Sequence, residues 1–297
     1  MNRCMIIQRD FGQLGNRLHT HANAVAWCLE NNLNLINLSF IEYADWFSKW
    51  QGKPIHSLEP NKTFFSFFLR ISNIGNFHDR ICRSDKWLNR ACKFFKVFQE
   101  DDDQTIWEED LHAIFKENPQ KRFTLLRAWD LRCPSLVAKH QNKIRKIFTP
   151  KTDITEYAQW ELAKIRNEND CVVGVHARRG DYDKYEGGIN FHSWDSYRNW
   201  IIQTKDLMKE NGRKKIGFLL CSDDIVNPSV FAELPVHCMK KKSVMTDLHA
   251  LSLCDYNIGP PSSFGNWLSW YGKVPRLCLV KNLEIRLLDQ FSVSSEC

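Results

Sequence analysis

A chain of 297 residues has room for two domains of ordinary size, each with its own core. Hydrophobic residues make up 43% and charged residues 26%, which excludes a disordered chain. The net charge of +6 is mildly basic, so it suits anionic ligands without by itself indicating nucleic acid, and no nucleic-acid recognition motif accompanies it.

The chain opens on "CMIIQ", expected as a strand from Cys4 to Gln8. A glycine loop, "FGQLGNR", leads into a helix expected from Asn16 to Asn31, where Leu18, Ala22, Val25, Ala26 and Leu29 recur at helical spacing. "LNLINL" follows as a second strand and completes a βαβ opening. The N-terminal apolar run is too short for a signal peptide, and no run reaches the ~18 apolar residues of a membrane span. The expected location is cytoplasmic, with the inner membrane surface as a peripheral alternative.

Residues 61–98 are aromatic and basic. Eight Lys and Arg stand against Asp79 and Asp85, an excess that equals the +6 of the whole chain. Phe64, Phe65, Phe67 and Phe68 are too dense for one stripe, so part of them is expected in an N-terminal core. The alternative is an interfacial surface, with Trp87, Phe94, Phe95 and Phe98 among cations, facing a membrane or a lipid-linked acceptor. The acidic stretch "EDDDQTIWEED" comes next.

Helical patterns return at "SLVAKHQNKIRKIF" and "DITEYAQWELAKIRNEND", the second capped by Thr152 or Asp153. Beyond them strands and helices alternate. "CVVGVHA" is an unbroken apolar strand, "HSWDSYRNWIIQTKDLMKENG" a helix ended by Gly212, and "KKIGFLLCSDD" a strand and loop. "PVHCM" is a short strand, and "SVMTDLHALSLCDYNIGPPSSFGNWLSWYG" reads as helix, strand, loop, helix before "PRLCLV" closes the sheet. The fold class is α/β, with a boundary near residue 150 dividing an N-terminal domain, 1–150, from a C-terminal one, 151–297.

The eleven cysteines form no CxxC pair, and several lie in apolar runs, so free thiols in a reducing compartment are expected. The ten histidines show no HExxH or paired Cys/His spacing, so no zinc site is expected. His19 and His21 read as polar positions on the first helix, with a ligand-contacting role open.

Runs such as Val172, Val173 and Val175 fit a strand buried on both faces of a parallel sheet, and ligands of open α/β sheets sit at the carboxyl ends of strands. Arg178 and Arg179 follow that strand. Guanidinium forks match phosphate oxygens, a salt-bridged surface pair being the alternative. Asp223 and Asp224 end a second apolar strand. Ser262 and Ser263 end a third, at a helix start, where hydroxyls and amides hold phosphate or merely cap the helix. Together the three loops describe a nucleotide-diphosphate site. The GxxGN loop is neither GxGxxG nor a Walker motif, which disfavours dinucleotide and P-loop binding. The tripeptide Arg179-Gly180-Asp181 reads as chance. Asp101, Asp102 and Asp103 lie in a charged loop with no preceding strand and read as solvated, so a metal-using DxD site is disfavoured.

"HARRGDY", preceded by "GQLGNR" and followed by "DLHALSLCDYNIGPPSSFGNW", resembles the fucosyltransferase superfamily, which groups α-1,2- and α-1,6-fucosyltransferases with protein O-fucosyltransferases. The form of the motif is nearer the α-1,2 and bacterial members. The resemblance covers the second half and the first strand and loop, and residues 40–150 match nothing in it. It implies a GT-B fold of two Rossmann-like domains facing a central cleft, and transfer of fucose from GDP-fucose to a glycan hydroxyl with inversion. By motif, Arg178 would hold the β-phosphate and Arg179 would support the site. His176 and Asp247 would contact guanine and ribose, with Asp223 also on the donor side. Ser262, Ser263 and Phe264 would line the diphosphate, and Gly15 and Asn16 would face the donor from the other domain. Glu186, ten residues past the motif histidine, matches the proposed base of the α-1,6 branch, with Asp181 and Asp183 as competitors. No metal or other cofactor is expected, since arginines would neutralise the diphosphate. The rival readings are another GDP- or UDP-sugar as donor, and a nucleotide-sugar-binding protein without catalysis. Acceptor, linkage and oligomeric state are not inscribed in these motifs.

Overall fold

The computed structural model describes residues 3–7, 12–50, 95–99, 105–117, 119, 123–127, 130–239 and 243–295. The chain divides into two compact units, Met1–Thr149 and Pro150–Glu296. Most of the basic aromatic stretch at 61–98, and the acidic run at 101–103, lie outside the described residues.

In the first unit, strand β1 (Cys4–Ile7) leads to helix α1 (Leu14–Glu30), strand β2 (Asn34–Asn37) and the short helix α2 (Ile41–Ala44). Strands β3 (Phe95–Gln99) and β4 (Thr105–Trp107), helix α3 (Glu108–Glu117), strands β5 (Phe123–Arg127) and β6 (Asp130–Arg132) and helix α4 (Pro134–Ile147) follow. The main sheet runs β2-β1-β5-β3, all parallel, and β4 pairs with β6 apart from it. Helix α1 starts two residues earlier than its sequence suggests, so Gly15 and Asn16 lie in its first turn and not in a loop. The chain turns at Gly12, whose φ of +60° favours glycine, and a Cβ there would meet Asn16 Nδ2 at 2.1 Å. His21 is a core residue: its ring lies 4.6 Å from Phe40 and 5.3 Å from Phe148, both edge-on. His19 is buried as well, so neither of these polar helix positions faces solvent, and the aromatic partners of His21 come from distant segments.

The second unit contains helix α5 (Thr152–Arg166), strand β7 (Cys171–Ala177), helix α6 (Trp194–Glu210), strand β8 (Ile216–Ser222), strand β9 (Val236–His237), helix α7 (Val244–Leu251), strand β10 (Tyr256–Gly259), helix α8 (Ser263–Gly272) and strand β11 (Arg276–Cys278). Lys151 occupies the N-cap of α5, so Thr152 and Asp153 are its first helical residues and neither caps it. The sheet order is β11-β10-β7-β8-β9, every pair parallel. All seven residues of β7 and all seven of β8 are buried, which is why both read as continuous apolar runs.

Helices cover both faces of this sheet. Cys171, Val173, Val175 and Ala177 of β7 join Tyr197, Trp200 and Ile201 of α6 in one core. Each large side chain buried in this way contributes about 2 kcal/mol. On the other face a Cβ at Gly217 would touch Ile165 of α5, and one at Gly174 would touch Leu251 of α7. Cys171 and Cys221 fill the strands as small apolar side chains, and burial pushes the Cys171 thiol up to about 11. Among the described residues, no helix is long and apolar enough to cross a membrane.

Candidate active site

The order of the second sheet reverses between β7 and β10. From β7 the chain moves outward through β8 and β9, then returns by α7 to β10 on the opposite side of β7. In an open parallel sheet this reversal leaves a crevice at the carboxyl ends of the two strands. Two loops flank it, Arg178–Gly180 after β7 and Pro260–Ser262 after β10. Strand β8 ends level with β7, pairing Ser222 with Ala177, so Asp223 stands beside Arg178.

The two adjacent arginines have different roles in the fold. Arg179 points inward. Its guanidinium carbon lies 4.5 Å from the ring centres of both Phe191 and Trp194, Nε donates to Asp224 at 2.9 Å, and Nη1 donates to the His192 carbonyl. Arg178 turns to the loop surface, donating to Asp181 at 2.8 Å and pairing with Asp223 at 3.1 Å. Asp223 also accepts from the amides of Arg179 at 2.7 Å and Gly180 at 3.1 Å, which closes the turn. Asp224 is held below the usual carboxylate range, chiefly by its bond from Arg179.

His176, the penultimate residue of β7 and two residues before Arg178, is buried and lies 4.6 Å from Phe264 with the rings 30° apart. Burial, helped by the charges of Arg276 and Arg178, lowers its pKa to about 3, so the ring is neutral at physiological pH. Its Nδ1 has no partner among the described residues. Ser262 is the N-cap of α8, its Oγ accepting from the Gly265 amide at 2.9 Å. Ser263 and Phe264 are the first two helical residues, at the positive end of the helix dipole.

Asp247 lies in the first turn of α7. Because α7 connects β9 to β10 in a parallel crossover, that turn is also at the carboxyl edge. Glu186 and Asp183 are exposed on the loop after Tyr182. Glu186 adopts φ 48° and ψ 38°, followed by Gly187 at φ 68°, a left-handed turn, and its carboxylate accepts a hydrogen bond from the Tyr185 hydroxyl. Gly15 and Asn16 belong to the first unit. The second unit thus brings together His176, Arg178, Arg179, Asp181, Asp223, Ser262, Ser263 and Phe264 at one sheet edge.

Two further residues shape this edge, the last residue of the arginine motif and one that belongs to no motif. The Tyr182 hydroxyl donates to the Pro261 carbonyl at 2.8 Å and so ties the β7 loop to the β10 loop. Arg276, at the start of β11, is 8% exposed and reaches along β10 to its end. An arginine heading the apolar run "PRLCLV" was the available signal.

No family model and no curated protein matches the chain. Solved structures do. The chain is similar to a mutant of Arabidopsis thaliana FUT1 in complex with GDP, with a TM-score of 0.58 and 11% identity over 100% of this chain and 76% of that one. It is similar to NodZ α-1,6-fucosyltransferase soaked with GDP-fucose, with a TM-score of 0.53 and 16% identity over 96% and 98% of the two chains. Fucosyltransferase NodZ from Bradyrhizobium gives a TM-score of 0.52 and 17% identity over 94% and 96%. At these identities the likeness is one of fold.

Proposed function

We propose that this chain is a glycosyltransferase that moves fucose from GDP-fucose to a hydroxyl of a glycan acceptor. The observation that carries this reading is the β7/β10 reversal, which sets the Arg178 loop opposite the Ser262 turn at the edge where such sheets take nucleotides. The fold shared with fucosyltransferases solved with GDP and GDP-fucose supports it. So does the motif "HARRGDY" on the loop concerned.

In this mechanism the bond between the fucose anomeric carbon and the β-phosphate oxygen breaks, and its electron pair leaves with GDP. Arg178 exchanges a carboxylate partner for the β-phosphate, and the N-terminus of α8 with Ser262 and Ser263 stabilises the charge as it develops. Arg179 does not touch the donor and holds the loop. His176, neutral and packed against Phe264, offers Nδ1 to the nucleoside, which Asp247 also contacts. The acceptor oxygen attacks the opposite face of the sugar and gives its proton to Glu186, so the anomeric carbon inverts. Asp181, which Arg178 holds before the donor binds, is the competing base. The cationic side chain and the helix dipole neutralise the diphosphate without a metal. Gly15 and Asn16 contacting the donor from the first unit, in a GT-B arrangement, belong to this proposal.

Calorimetry with GDP, UDP and GDP-fucose tests it, followed by release of GDP from GDP-fucose in the presence of glycan acceptors. Preference for GDP over UDP and acceptor-dependent turnover are expected. A chain that binds no guanine nucleotide is not this enzyme.

A further inference from the structure

The turn that would face the diphosphate is badly composed for an anion. Gly259-Pro260-Pro261 presents three carbonyl oxygens, and its two prolines have no N–H to offer. Left to itself this segment would set acceptor oxygens, each with partial negative charge, against phosphate. All three carbonyls are instead occupied by donors of the protein. Arg276 Nη2 donates to Gly259 at 3.2 Å and also to Pro260, the Leu279 amide donates to Gly259 at 2.8 Å, and the Tyr182 hydroxyl takes Pro261 at 2.8 Å. With the carbonyls occupied, the outward side of the turn is left to the hydroxyls and first-turn amides of α8.

Arg276 itself is a buried cation that, among the described residues, pairs with no carboxylate. Its remaining side-chain partner in α8 is Asn266, whose Oδ1 accepts from Nη1 at 3.2 Å. Helix α8 comes down onto the guanidinium so closely that a Cβ on Gly265 would sit 2.5 Å from Nη2. An isolated buried charge is costly unless something compensates it, and carbonyl dipoles do so only in part. A dianionic group at the neighbouring helix N-terminus would complete the compensation.

We infer that Arg276 is a positioning residue for the diphosphate: it withdraws the Gly259 and Pro260 carbonyls from the turn and supplies a buried positive charge beneath the N-terminus of α8. The inference rests on the nucleotide-sugar reading of this site. Arg276 does not touch the donor. It acts through the Pro260–Phe264 turn and through its field, which also reaches His176.

The test pairs Arg276→Met, which removes the charge, with Asn266→Asp, which sets a carboxylate against it and neutralises it in place. GDP and inorganic pyrophosphate are titrated by calorimetry at two salt concentrations, and thermal unfolding is followed in parallel. Arg276→Met is expected to weaken both ligands about tenfold or more and to flatten the salt dependence of binding. Asn266→Asp is expected to raise the melting temperature, because the buried charge gains a partner, while weakening GDP roughly threefold or more. A role in folding alone predicts that Asn266→Asp stabilises the protein and leaves GDP affinity and its salt dependence as they were. That result overturns the inference, and it stands even where Arg276→Met fails to fold. A wild-type chain that binds neither GDP nor pyrophosphate overturns the nucleotide-sugar reading itself. Wild-type binding with an unaffected Asn266→Asp overturns the role of Arg276 alone.

Discussion

Substituting the two adjacent arginines one at a time should separate stability from binding. Arg179→Met removes an ion pair to Asp224, a bond to the His192 carbonyl and two cation–aromatic contacts at 4.5 Å. A hydrogen bond to a charged group contributes about 1.5–3 kcal/mol and a cation–aromatic contact about 0.5–2 kcal/mol, partly offset by the packing that methionine restores. The expected loss is about 3 kcal/mol, or roughly 6–12 °C in melting temperature for a unit of this size. Arg178 is 21% exposed and pairs with carboxylates at the surface, so Arg178→Met should cost no more than about 1 kcal/mol. Its effect should fall on GDP, where losing a forked, charge-assisted contact of about 3 kcal/mol lowers affinity roughly a hundredfold. Thermal unfolding and calorimetry on both variants decide the matter. Equal loss of stability in the two, or an unchanged melting temperature for Arg179→Met, refutes the division of labour.

Three other outcomes are expected. Glu186→Gln should lower turnover of GDP-fucose by about a hundredfold or more and leave GDP affinity unaltered, whereas a fully active variant assigns the base elsewhere. Turnover should survive EDTA, and strict dependence on added Mn²⁺ would overturn the metal-free displacement. Buried Glu161 accepts from Lys164 at 2.8 Å, Tyr157 at 2.7 Å and His237 at 2.8 Å. Burial raises its pKa, but those three bonds outweigh it and hold the group at about 2. A depressed carboxylate stabilises the fold above its unfolded pKa of about 4.3 and ceases to as pH falls towards the folded value. Glu161→Gln should therefore flatten the acid limb of stability between about pH 4.3 and 2, and a limb identical to wild type rules the network out as its source.

The parts of the fold that could be read from sequence are those recorded locally. "CVVGVHA" and "IGFLLCS" lack alternation because both faces of β7 and β8 are buried, and the seven-residue strands follow from that. The strand order could not be read in the same way, since nothing in "YNIG" says that β10 lies beside β7 and not beyond β9. The site shows the same limit. "HARRGDY" marks the loop but cannot distinguish Arg178 from Arg179, because the distinction is made by Phe191 and Trp194, which arrive from a later turn and helix. Ser262 was legible both as a cap and as a ligand-facing hydroxyl, and its bond to Gly265 establishes the first without excluding the second. Arg276 stood out in sequence only as an arginine heading an apolar run, with nothing to mark it as functional. Its meaning depends on two carbonyls in another strand-end loop, and on a glycine that lets α8 descend onto it.

The distribution of charge at this edge bears on the direction of the proposed reaction. The loops after β7 and β8 carry Asp181, Asp183, Glu186, Asp223, Asp224 and Glu233 against Arg178, Arg179 and Lys184, so they are acidic on balance. Two arginines in a row are therefore not a basic patch, and of the two only Arg178 is placed to meet a diphosphate. The β10 side is opposite in sign: it holds the positive end of α8 and the buried guanidinium of Arg276. A single displacement needs this polarity, because the leaving group accumulates negative charge at one end while a carboxylate must remain basic at the other. With the phosphates drawn to α8, Arg178 stands at the junction of the two fields and can pass from its carboxylate partners to the β-phosphate.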